Sequence, residues 1–149
     1  IYNKLFGKIL KEELYPSKVL LFKSKKNLFK KFGHKEVLKI NGPIKELKNY
    51  IIHEDKKSFK AWIKNQFLYS IKDSKKICEA KYQNLTISNK LRRIPFLMNV
   101  ASFVYYTFKL NLLRFGTSGL AYILARQVYE TFLSINIVIF FLKKIFKIL

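Results

Sequence analysis

Fifteen residues, Ile94 to Phe108, run without a charge, and a second long run, Val128 to Leu142, carries only Glu130. Between them Lys109 to Phe115 adds two bases, and Gly116-Thr117-Ser118-Gly119 breaks the pattern before the apolar Leu120 to Ala125. Apolar stretches of this length have to leave water, because each Å² left wet costs about 25 cal/mol. Each is shorter than the roughly 20 residues a straight helix needs to cross a bilayer. Two arrangements remain: a hairpin of core helices, or helices lying in or dipping into one leaflet. Arg92-Arg93 precedes the first run and Lys143-Lys144 follows the last, while Phe103, Tyr105, Tyr106, Phe108, Phe140 and Phe141 suit an interfacial belt. The pattern favours membrane association at an anionic surface.

Charge separates this part from what precedes it. Residues 1–91 hold 22 lysines against 8 acids, whereas residues 92–149 hold 8 bases and one acid. A net charge of +21 invites an anionic partner. Of the 30 basic residues 26 are lysine, however, and lysine lacks the planar fork with which arginine reads phosphates and bases. No recognised nucleic-acid motif accompanies the charge, so no specific nucleic acid is expected. Cys78 is the single cysteine, which excludes an intramolecular disulfide and fits a reducing compartment. The chain begins Ile1-Tyr2-Asn3, with neither an initiator methionine nor a signal-peptide pattern, as expected of a piece preceded by more protein.

The first half reads as short strands and turns: Val19 to Phe22, then Val37 to Ile40 stopped by Asn41-Gly42-Pro43, then Tyr50 to Ile52. After His53 the period changes. Asp55 or Ser58 can cap a helix whose apolar positions Phe59, Trp62, Ile63 and Phe67 fall at helical spacing, and which the pattern extends to about Tyr82. Gln83 to Lys90 reads as a polar connector.

Chemistry rests on a few polar points, since no P-loop, G-x-G-x-x-G, G-x-S-x-G or H-E-x-x-H occurs. His53 is followed by Glu54 and Asp55, a set that suits either a divalent cation or an acidic cluster at the positive end of a helix. Glu36 near His34 suits a general base or a solvated strand-end carboxylate. Trp62, Gln66 and Tyr69 share one helix face, as a substrate contact or as a core stripe holding one amide.

The order of these features resembles the C-terminal half of bacterial family 2 glycosyltransferases of the lipopolysaccharide-core and capsule type. The resemblance is carried by Tyr15-Pro16 with Leu21-Phe22, by Gly33-His34, by Asn41-Gly42-Pro43 with Leu47, and most specifically by Ile52-His53-Glu54-Asp55-Lys56-Lys57-Ser58 with Trp62, Gln66 and Tyr69. Pro95, Gly116, Gly119-Leu120, Tyr122, Arg126 and Glu130 are similar to the family's amphipathic tail. The resemblance implies a GT-A enzyme that transfers a sugar from a nucleotide sugar to a glycan or lipid-linked acceptor at the cytoplasmic face of the inner membrane. It implies a divalent metal, Mg or Mn, held mainly by a D-x-D pair upstream of Ile1, and hence a fragment inactive by itself. By the same resemblance His53 reaches the metal or diphosphate, and His34 and Glu36 sit near the acceptor hydroxyl. Lys56 and Lys57, with Trp62 and Gln66, then bind the diphosphate or substrate. Lys35 separates His34 from Glu36, where many members have the two adjacent.

The expected architecture is therefore α/β. Residues 1–57 form the end of a GT-A domain with short strands, residues 58–91 an amphipathic helix and connector, and residues 92–149 apolar, mostly helical, membrane-associated segments. A nucleic-acid-binding module and a non-enzymatic membrane anchor are the competing expectations.

Overall fold

Phe6-Gly7 carries two positive φ values, 47° and 78°, and so makes the tight turn whose twist matches paired strands. In the computed structural model, which describes residues 2–11, 28–32, 35–39, 43, 45, 51–54 and 56–146, this turn joins β1 (Tyr2–Leu5) to β2 (Lys8–Leu10). The two strands are antiparallel, with Asn3 opposite Leu10 and Leu5 opposite Lys8. β3 (Leu28–Phe32) and β4 (Lys35–Lys39) form a separate antiparallel pair. β5 (Ile52–His53) joins β1 in parallel, giving a three-stranded mixed sheet in the order β2-β1-β5.

From Phe59 onward the described residues are mainly helical. α1 (Phe59–Glu79) starts where Ser58 accepts the Ala61 N–H at 3.3 Å, the capping bond that satisfies an orphan donor of the first turn. It ends at Glu79, three residues short of the expected Tyr82. There Arg93 closes it, donating to the carbonyls of Ile77 at 2.8 Å, Cys78 at 3.4 Å and Ala80. The expected connector holds a 3₁₀ turn (Tyr82–Asn84) and the start of α2 (Ile87–Arg92). α3 (Leu97–Val104) runs into a π turn (Tyr105–Lys109), and a 3₁₀ turn (Leu112–Phe115) precedes α4 (Thr117–Ile145).

Two sequence expectations change here. The break expected at Gly116-Thr117-Ser118-Gly119 falls at Gly116 alone, which separates α3 and its turns from α4; Thr117, Ser118 and Gly119 already belong to α4, which runs unbroken through Leu120 to Ala125 and Val128 to Leu142. Gly116, at φ +64°, supplies the left-handed residue ahead of the helix. Gly119 is required by proximity instead, since a Cβ there would lie 1.8 Å from the Leu112 carbonyl oxygen. The expected strand at Tyr50 to Ile52 is observed two residues later, as Ile52–His53. The strand expected at Val19 to Phe22 lies outside the described residues. The described residues are mostly helical, with a small three-stranded mixed sheet.

α1 and α4 pack antiparallel. Ser70 meets Asn136 (2.8 Å) and Asp73 meets Tyr129 (2.5 Å), while Phe67 stacks edge-on against Phe132. Ile77, Tyr129, Leu133 and Ile137 form the core between them, flanked by Tyr69 and Cys78. A second core joins the sheet to the start of α4: Leu10, Leu112, Tyr122 and Ile123, with Leu5 packed against them. Ser118 ties the two layers by donating to the Leu5 carbonyl at 2.9 Å. No helix among the described residues is long and apolar enough to cross a membrane. α4 has the length, but Arg126 and Glu130 interrupt its apolar run.

Candidate functional site

β5 places His53 directly opposite Asn3 of β1 at the parallel edge of the sheet. Asn3 is buried and, among the described residues, its Nδ2 finds no acceptor. One residue on, Glu54 pairs with Lys4 across the same two strands at 3.4 Å. His53 is exposed, so the edge presents an imidazole beside a buried amide. The chain then passes through Lys56 and Lys57, both exposed, into the capped start of α1, whose first turn carries no acid. Two ammonium groups against the positive end of a helix dipole concentrate positive potential, the condition in which an oxyanion such as a phosphate is favoured. Trp62 lies one turn into α1, half-buried and stacked on Phe59 with centroids 5.9 Å apart, and Gln66 is half-buried a turn later.

Glu36 lies in β4, in register with Lys31. His34 lies outside the described residues. Among the described residues no three His, Cys, Asp or Glu side chains converge as a metal site, and Glu54 is engaged by Lys4. The described residues therefore do not by themselves fit a divalent cation. Residues 52–66 carry four lysines and two acids, Glu54 and Asp55, a net charge of +2.

A second polar cluster escaped the sequence reading. The Glu130 carboxylate, fully buried, accepts from Arg92 Nε at 2.9 Å and Nη2 at 2.6 Å, and from Arg126 Nη2 at 3.3 Å. Arg92 also donates to Asn89 Oδ1 at 2.9 Å. Burial works against the Arg92 charge, but the hydrogen bond and charge of Glu130 outweigh it and raise its pKa. Arg126 lies over the rings of Tyr106 and Tyr129, and among the described residues its Nε has no acceptor. Burial, then the neighbouring Asp73, drives the Tyr129 phenol well above its usual range, so it stays a donor to Asp73. Burial likewise raises the Cys78 thiol, partly offset by Arg93. The signals in the sequence were a lone acid inside an apolar run and a base four residues before it. With every carboxylate oxygen occupied by arginine, this cluster is a buried brace joining α2 to α4.

No family model, no curated protein and no solved structure matches the chain.

Proposed function

We propose that the chain is the acceptor-side end of a family 2 glycosyltransferase, working at the cytoplasmic face of the inner membrane on a glycan or lipid-linked acceptor. The observation that carries the reading is the junction from Ile52 to Gln66. The most specific block of the resemblance coincides with a strand end, two exposed lysines and a capped helix start free of acids. Such a junction favours a departing nucleoside diphosphate, whose developing charge Lys56, Lys57 and the first-turn N–H groups would stabilise. Trp62 offers a ring face and Gln66 an amide on the same helix for a sugar or base. Glu36 is proposed to take the acceptor proton, with His34 beside it, as the resemblance implies. The divalent metal of the family would need ligands from residues beyond those described, with His53 at most one of them, and no step is assigned to it.

The test uses the polypeptide of the complete reading frame, in membranes, with a panel of radiolabelled nucleotide sugars. Sugar should appear in lipid-linked or envelope glycan, and His53→Ala should cut transfer by about a hundredfold or more without altering the circular dichroism. Absence of transfer with every donor, or wild-type transfer by His53→Ala, overturns the reading or the assignment of His53, respectively.

A further inference from the structure

α3 meets α4 through polar side chains and turns its own apolar ones outward, the reverse of a helix built for water. Asn99 Nδ2 donates to Thr131 Oγ1 at 2.9 Å, and Ser134 Oγ donates to Asn99 Oδ1 at 3.3 Å. Gln127 and Ser102 hydrogen-bond at 3.1 Å. Phe96, in a left-handed conformation with no side-chain cap, has its N–H taken by Ser134 Oγ at 3.1 Å. On the other side of the same helix and its π turn, Val100 is 63% exposed, Phe103 45%, Val104 48% and Phe108 72%. In water the stable arrangement puts the apolar stripe inside. Where lipid surrounds the helices the preference reverses, and interhelical hydrogen bonds between small polar groups hold the pair.

The charge around this face specifies the lipid. From Lys81 to Phe146 the only acid is Glu130, whose side chain is 0% exposed, so every exposed charged side chain over that stretch is cationic. Lys109 directly follows the outward Phe108, Arg114 is exposed beyond it, and Lys143 and Lys144 end α4. We infer that the outer face of α3 and its π turn is seated at the boundary of headgroups and acyl chains in an anionic phospholipid bilayer, with the helix lying in the plane of the membrane. The absence of any helix fit to span, among the described residues, agrees with an in-plane seat. This inference deepens the membrane-facing part of the reading above and rests on that part, independently of the transfer chemistry.

The test is flotation of the purified full chain with vesicles of phosphatidylcholine alone, or of phosphatidylcholine mixed with phosphatidylglycerol. Binding should be tighter to the anionic vesicles by about tenfold or more, and should weaken as salt rises from about 0.1 to 1 M. The double substitution Val100→Glu with Phe103→Glu should lower partitioning by about a hundredfold. It should leave the thermal midpoint unchanged, because both side chains already face outward. Should that variant fail to fold, Phe103→Trp in a Trp62→Phe background gives a second reading: brominated phospholipid should quench its fluorescence. Equal binding to both vesicle types at every salt concentration, or no quenching at position 103, overturns the inference. So does a concentration-dependent dimer abolished by the double substitution in a chain that ignores vesicles, which would give the face to a second copy. Vesicle binding together with absent transfer counts against the transferase reading alone.

Discussion

Removing the Glu130 carboxylate should unfold the helical layer more readily than any single loss at the surface. Glu130→Ala strips three N–H donors of their acceptor and leaves Arg92 and Arg126 facing each other's charge. Breaking a fully buried pair costs about 3–5 kcal/mol. The guanidinium side chains here retain 17% and 29% exposure, so water reaches them and the lower end, about 3 kcal/mol, applies. For a chain of this length each kcal/mol moves the midpoint by about 2–4 °C, which predicts a fall of about 6–12 °C. The assay is thermal unfolding followed by helical circular dichroism. Glu130→Gln keeps one acceptor oxygen and should fall roughly half as far. In a double-mutant cycle, Arg92→Ala with Glu130→Ala should cost less than the two single losses added, because each leaves the other's charge unpaired. A Glu130→Ala midpoint within about 2 °C of wild type would refute the brace.

Two further outcomes follow from the same packing. Gly119→Ala drives a methyl into the Leu112 carbonyl and should cost about 1–3 kcal/mol, read as a lower midpoint, while Leu120→Ala on the exposed side of the same helix should change little. Stability should fall as pH rises above about 9, where Cys78 and then Tyr129 ionise in the unfolded chain but hold their protons in the native one. With fewer protons bound when unfolded, the slope of unfolding free energy against pH is negative there, and Tyr129→Phe with Cys78→Ser should flatten it in alkaline denaturation.

α1 was legible because its signals agree with one another: Ser58 as cap and Phe59, Trp62, Ile63 and Phe67 at helical spacing need no distant information. Gly119 misled for a physical reason. A glycine inside an apolar pattern signals a break when it frees the backbone, but here it admits a neighbouring carbonyl, and only the tertiary fold tells the two apart. Glu130 stood out as an anomaly, yet its main partner Arg92 lies 38 positions away, beyond any periodic pattern. The β1–β2 hairpin passed unread because only Gly7 of its turn is a usual turn residue; Phe6, at φ 47°, stands where Asn, Asp or Gly is the ordinary signal. In α3 the spacing of Asn99 and Ser102 shows a polar side, but nothing local says that this side faces inward. Of the candidate site, His53, Lys56, Lys57, Trp62 and Gln66 fall on one strand-to-helix junction, whereas Glu36 is on a separate hairpin.

The proposal that this chain is part of a family 2 glycosyltransferase is tested most directly by sequencing the genomic DNA ahead of the Ile1 codon and translating it in all frames. The account predicts an in-frame segment encoding alternating strands and helices with a D-x-D pair after a hydrophobic strand. A start codon close by, with no such segment in any frame, would contradict it.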